Sequence, residues 1–502
     1  MKRFMQFFSF AAMTQVILLL NQVALLPVQI RLWGISQTAM WYAAIAVATV
    51  TTVADLGLRT AGHVELLRLV QGKSPKAEAE FQQIWAWIRV LVLSVTAVVI
   101  LADGAYGWWH GAGIWEVSRI LLAIAYALET VLTVRIVYLD SLGEYSRAEA
   151  SYFSFAAIRL AIAVPALLVF KVHALGLSLI FLATSTLGLL MQGWLCAVPR
   201  ELFLFRRFPR RLSLRTCSLA RYTLAEPCAN WVRISLPVLV IAAVAPAAAV
   251  TTYVALRAIY GAARTTIQQV ARVASVEVLR LRALMQIDRA ESLLAFFILF
   301  AGLIGTGVAS GVVLDNLRLL SLWLKHFDRS LFQNLNLTLA LTAPFYSYQV
   351  MVALSFRIGR LSFMARRQYA YVLYSALFAC AALVTHELVV YLVLLVIAEI
   401  ALSISFMVCR HIGGRAGFET KAGWRGLAGA GTGSLLVFVL WMIVRHAGGN
   451  FFLRSSAASA MQTACLLCAA LGLLLIVNLK ANPGAVRSLR NTLRPGVVAV
   501  SV

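Results

Sequence analysis

TTYVALRAIYGAARTTIQQVARVASVEVLR, residues 251–280, places Arg257, Arg264 and Arg272 inside a stretch that sits among long apolar runs. Its reading decides the fold. If it spans a membrane, the chain has an even number of spans and both ends lie on one side. If it does not, every later loop changes side. An α-helix turns about 100° per residue, so Arg257 and Arg264 lie within roughly 20° of each other and Arg272 within roughly 80° of Arg264. Tyr253, Tyr260, Gly261, Gln268 and Ser275 fall on that same side. Ala255, Ile259, Ala262, Val270 and Val273 fall opposite. Such a helix has one polar and one apolar face.

The surrounding chain reads as membrane protein. Of its 502 residues 61% are hydrophobic and only 13% charged, with a mean hydropathy of +0.85. A soluble protein would carry roughly twice that charged fraction. Apolar runs of about 20 residues, each long enough to cross a bilayer, recur throughout. The short alternating segments of a β-barrel are absent. The pattern predicts an all-α polytopic membrane protein of 14 spans, near residues 8–32, 39–58, 84–102, 119–139, 151–170, 175–197, 229–247, 249–275, 292–314, 333–356, 368–385, 388–409, 425–445 and 459–479. The opening MKRFMQFF resembles the start of a signal peptide. The apolar run continues past Asn21 and Gln22 to about Trp33 with no suitable cleavage site, so it is expected to stay as the first span.

Charge tests that count. The formal charge is +24, which in a soluble protein would suggest nucleic acid. With the N-terminus inside, the inside segments hold 29 of the 44 Lys and Arg and the outside segments hold 8. This is the positive-inside bias, and it fits an even number of spans with both termini cytoplasmic. No nucleic-acid partner is needed to explain the charge. Seven arginines remain within predicted spans: 89, 135, 159, 233, 257, 264 and 272. Against them stand few intramembrane acids, Glu129 and Glu399, with Asp55 and Asp140 near span ends. Arg264 lies near mid-bilayer, where insertion of arginine costs about 2.5–3.5 kcal/mol, so it should face protein or water. Arg272 is close enough to the inner interface to snorkel. An excess of intramembrane cations suits an anionic substrate in a wet cavity.

A basic loop of about 30 residues separates six spans from eight. The expected organisation is a six-helix lobe over 1–198, the loop over 199–228, a second six-helix lobe over 229–410, and two further helices with a tail over 411–502. Other candidates read as structural. GLAGAGTGS, residues 426–434, lacks the Lys-Ser/Thr of a phosphate loop and is expected to pack helices closely. WWHGAGIW, residues 108–115, reads as an interfacial aromatic anchor. The seven cysteines are odd in number and scattered, so no disulfide framework is implied. Cys465 and Cys468 fall in an apolar run and are expected to pack there. No metal-ligand spacing and no cofactor motif is present, and no nucleophile elbow.

Residues 27–61 read PVQIRLWGISQTAMWYAAIAVATVTTVADLGLRTA. Pro27, Arg31, Gly34, Trp41 and Asp55-Leu56-Gly57 match the first two helices of bacterial polysaccharide-unit flippases. These belong to the multidrug/oligosaccharidyl-lipid/polysaccharide exporter superfamily, which the stretch resembles. Ala39 stands where the second glycine of the turn is usual, and Thr38 where an aromatic is. The tryptophan of LRLLSLWLKHF, residues 317–327, also resembles the family.

The resemblance implies two six-helix lobes, related by a pseudo-two-fold, around a cavity. It also implies movement of an undecaprenyl-pyrophosphate-linked glycan from the cytoplasmic to the periplasmic leaflet of the inner membrane. Polysaccharide assembly machinery would be the partner. On this reading Arg264, Arg257 and Arg159 hold the pyrophosphate or an acidic sugar, and Arg272 recruits the headgroup. Gln268, Tyr260 and Asn21 line the path, and Glu129 or Asp55 takes a coupling ion. Two alternatives stay open at this point: a drug or cation antiporter of the same superfamily, and a membrane-embedded polysaccharide polymerase or glycosyltransferase.

Overall fold

The computed structural model describes residues 2–71, 77–110, 113–141, 144–195, 214–315, 329–357, 360–407 and 418–446. The chain is an all-α polytopic membrane protein. Eleven described helical runs are long and apolar enough to cross a membrane. The expected fourteenth span, the CLLC within it, and the tryptophan before the tenth span lie outside the described residues.

By packing, the chain forms two compact units: Met1–Ala255 with Gln368–Leu388, and Leu256–Arg367 with the chain from Val389 onward. The first unit begins with α1 (Lys2–Ala48), which is broken at Gly34, where φ is +81° and ψ 171°. Glycine adopts that conformation without a Cβ penalty. The hydroxyl of Thr38 donates to the Gly34 carbonyl at 2.7 Å, securing the second arm. This break separates the first two spans. Trp33 and Trp41, one on each side of it, meet edge to face at 5.6 Å, and Trp41 meets Phe181 in the same way at 5.9 Å. Trp33 Nε1 donates to the Val172 carbonyl at 2.9 Å, so its polar end is satisfied in the core.

A 3₁₀ turn, Thr49–Val53, ends the second arm, and α2 (Leu58–Gln71) follows. The bundle continues with α3 (Ala77–His110), α4 (Ile114–Ser141), α5 (Tyr145–Leu168) and α6 (Ala174–Leu195). Trp108 and Trp109 at the end of α3 are 91% and 84% exposed, in keeping with an interfacial anchor. Then come α7 (Leu214–Thr223), α8 (Ala225–Ile234) and α9 (Leu236–Val244). The seventh span is therefore not one helix. It divides at Ser235, just before Pro237, whose ring cannot continue the hydrogen-bond ladder.

Helix α10 (Ala247–Ala283) carries the opening stretch and is continuous over 37 residues. The second unit then holds α11 (Ile287–Asp315), α12 (Arg329–Thr342) and α13 (Tyr348–Arg357). Between α12 and α13 lies a 3₁₀ turn, Ala343–Ser347, so the tenth span is also broken. All five of its residues are buried, which is where non-helical backbone is tolerated at membrane depth. Helices α14 (Leu361–Thr385), α15 (Leu388–Met407) and α16 (Phe418–His446) complete the described chain.

The glycines of 426–434 do what close packing requires. Gly429 abuts Leu299 and Gly426 abuts Ile298, both on α11, while Gly433 abuts Thr306 and Pro344. From the other side Gly305 of α11 sits against the broken turn. A Cβ there would come within 2.7 Å of the Ala343 carbonyl carbon. Ser434 Oγ donates to the Leu341 carbonyl at 2.9 Å, satisfying backbone beside the break. Gly305→Val should therefore destabilise the detergent-solubilised protein by about 1–3 kcal/mol through overpacking, read as a lower unfolding temperature. The same change at Gly431, which has nothing within 4 Å, should leave it nearly unchanged.

Candidate functional site

The sequence candidates fall into three groups. The first is on α10. Arg264 is buried at 8% exposure and Tyr260 at 1%, while Arg257 and Gln268 are half-buried. Burial places Arg264 against protein, where its insertion cost is avoided. Tyr253, Ile267, Ala271 and Ser275 are buried along the same helix. So are Val254, Ala255, Leu256 and Ala258, which makes the first third of α10 buried all round. Tyr260 donates its hydroxyl to Asn336 Oδ1 at 2.7 Å. Its polar end is therefore committed to α12, one turn from Arg257 and from Arg264. The side chain of Arg272 lies outside the described residues, as does that of Asn21 on α1.

The second group joins two residues thirty apart in sequence. Arg159 of α5 donates Nη2 to Glu129 Oε1 of α4 at 2.5 Å and to Ser185 Oγ at 2.8 Å. Its Nε donates to Thr184 Oγ1 at 3.3 Å. Phe155 and Phe181 place their ring centroids 4.5 and 4.4 Å from the guanidinium carbon. Carboxylate, hydroxyls and π-faces together answer the charge of a guanidinium that is 8% exposed in its side chain. Gly188, three residues beyond Ser185, is what lets α6 approach, since a Cβ there would meet the Phe155 ring at 2.6 Å. Sequence reasoning missed Ser185, Thr184, Phe155 and Phe181. The run LATSTLG in an otherwise apolar span was the available signal.

The third group is Asp55. It is fully buried, accepts the Gly57 N–H at 3.1 Å, and pairs with Arg59 at 3.3 Å. Leu56 and Gly57 both have positive φ, +47° and +77°. The Asp-Leu-Gly sequence is thus a tight turn whose carboxylate caps the start of α2.

Other intramembrane arginines use aromatic faces and carbonyls. Arg135 Nη1 donates to the Leu189 carbonyl at 2.7 Å, Arg89 lies over Trp85, and Arg233 lies over Tyr371. Among the described residues no cluster of three or more His, Cys, Asp or Glu could hold a metal ion.

No protein-family model matches the chain, and no curated protein matches it by sequence. Solved structures do match. "Lipid II flippase MurJ, inward closed conformation" aligns at a TM-score of 0.62 with 11% identity, covering 97% of this chain and 99% of that one. An inward-facing multidrug resistance MATE family transporter of the MOP superfamily aligns at 0.55 with 11% identity over 86% and 98%. An outward-facing one aligns at 0.54 with 14% identity over 86% and 96%. The chain has the fold of these solved structures. At these identities the likeness is one of fold, and it spans nearly the whole of both chains. The comparisons show the fold, and the long, arginine-bearing helix α10 belongs to it.

Proposed function

We propose that this protein is a flippase of the bacterial inner membrane. It carries an undecaprenyl-pyrophosphate-linked oligosaccharide from the cytoplasmic to the periplasmic leaflet by alternating access, with both termini cytoplasmic. The observation that carries this reading is α10. A single helix holds Arg264 buried and Arg257 half-buried on one side, within a chain whose intramembrane arginines outnumber its intramembrane acids. Cations placed where water is scarce interact strongly with a phosphate anion. Arg257 and Arg264 supply the fork-shaped donors that match phosphate oxygens. Arg272, nearer the inner interface, meets the headgroup first, and Gln268 follows along the helix.

Arg159 enters this path only when its pair with Glu129 opens, because the carboxylate already answers its charge. Glu129 is then the group placed to take a coupling proton. Asp55 is held by its turn, and we assign it to shape rather than coupling. The six-helix lobes, 1–198 and 229–410, move against each other, and the two helices of 411–502 are added to the second. Polysaccharide assembly machinery receives the product on the far side. Support also comes from the fold shared with a lipid II flippase and from the Pro27-to-Gly57 resemblance.

A second reading, drug or cation antiport, is favoured by the multidrug transporters that share the fold. Cationic cargo needs carboxylates, and this chain offers arginines. Binding decides between them. Purified protein in detergent should bind undecaprenyl pyrophosphate and discriminate against undecaprenol, which lacks the phosphates. Equal binding of the two, or tight binding of a cationic drug, overturns the proposal.

A further inference from the structure

Three connections in the first unit tie the second span to the chain around the seventh. Gly57 lies against the junction of α7 and α8 so closely that a Cβ would come within 2.8 Å of Leu224 Cα, and closer still to the Leu224 amide and Ala220 carbonyl. Thr223 Oγ1 donates to the Gly57 carbonyl at 2.7 Å. Eight residues earlier, Thr49 and Ser235 share a hydrogen bond at 2.9 Å. That bond joins the start of the 3₁₀ turn to the break between α8 and α9. So Thr49 and Ser235 both lie where a helix is already interrupted. A third segment joins in: Tyr369 of α14 donates to the Arg221 carbonyl at 2.5 Å, and Arg233 lies 4.7 Å from the Tyr371 ring centroid.

We propose that these contacts form a latch that closes the cytoplasmic side of the transporter, with Gly57 as its keyhole and Thr49–Ser235 as its bolt. The proposal rests on the alternating-access reading for its sidedness. The Asp55-Leu56-Gly57 turn earns its form here. Positive φ at Leu56 and Gly57 bends the chain so that a bare backbone, and no side chain, meets the Ala220–Leu224 backbone. Backbone meeting backbone makes a contact that is either seated or lost, since even one methyl keeps it from closing. The short 3₁₀ turn and the proline-adjacent break give each side a place to flex when it opens. Asp55 and Arg59, paired behind the turn, hold its shape in both states.

The test needs no substrate, so its failure is separable from failure of the flippase reading. Cys228 of α8 is half-buried beside the latch and reports on it directly. In inside-out membrane vesicles, Gly57→Ala should raise labelling of Cys228 by a membrane-impermeant maleimide about tenfold, the population shift that overpacking of this size gives. Thr223→Val, which removes one hydrogen bond and adds no bulk, should raise it by a smaller factor, about threefold. In a background freed of native cysteines, the pair Thr49→Cys with Ser235→Cys should cross-link on oxidation, and Gly57→Ala should prevent it. Unchanged Cys228 labelling in both variants overturns the latch. A rise seen only in right-side-out vesicles overturns its cytoplasmic placement while keeping the contact. If Gly57→Ala is not recovered in membranes, the Thr223→Val labelling and the cross-link decide alone.

Discussion

Replacing Arg264 by alanine should lower affinity for a lipid-linked pyrophosphate by roughly 10- to 100-fold while the protein still inserts and folds. The magnitude follows from loss of a charge-assisted contact worth about 1.5–3 kcal/mol. Thermal unfolding of the same variant separates loss of the anion contact from loss of the packing of this buried side chain. Arg264→Lys should recover only part of the loss, since an ammonium keeps the charge and lacks the planar fork. Equilibrium binding of undecaprenyl pyrophosphate to purified variants measures both. Full affinity in Arg264→Ala would remove the arginine helix from the account.

The second large effect is on stability. Glu129→Ala leaves Arg159 buried among Phe155, Phe181, Ser185 and Thr184 without its carboxylate. Breaking one side of a buried ion pair costs about 3–5 kcal/mol. Replacing both partners with apolar residues of similar size, Glu129→Leu with Arg159→Met, should restore most of that stability, because no orphaned charge remains. Thermal unfolding of the single and double variants in detergent reads the difference. The double variant has a further use. If it is stable and still transports, the pair is structural. If it is stable and inactive, the pair takes part in the cycle. Equal stability of the wild type and Glu129→Ala would mean that the pair holds nothing together.

Much of the fold was legible in the sequence because a bilayer imposes a length on each helix. The apolar runs located most of the spans, and Gly34 marked the break between the first two. Helix α10 is continuous over the expected eighth span, but its polar residues keep it out of the eleven runs apolar enough to cross a membrane by composition. The glycines of 426–434 announced a close helix contact, and α11 is what they meet. Less legible were the interruptions at Ser235 and at Ala343–Ser347. Both lie in apolar runs, and hydropathy does not distinguish a continuous helix from one broken beside a buried proline. The candidate site divides in the same way. Periodicity gathered Arg257, Tyr260, Arg264 and Gln268 onto α10, since they share one helix. It could not pair Glu129 with Arg159, because that contact depends on how α4, α5 and α6 pack. It also gave Tyr260 a place on the path, although the hydroxyl is occupied by Asn336. Asp55 was read as a charge available to an ion, and its place in a tight turn emerges only with the positive φ values that follow it.

The deciding measurement for the flippase reading is the sidedness of lipid-linked oligosaccharide in cells that lack this protein and any redundant transporter. Complementation would use wild type or Arg264→Ala. The oligosaccharide should accumulate on the cytoplasmic leaflet, wild type should relieve the accumulation, and a correctly inserted Arg264→Ala protein should not. Normal sidedness without the protein, or full relief by Arg264→Ala, would contradict that reading.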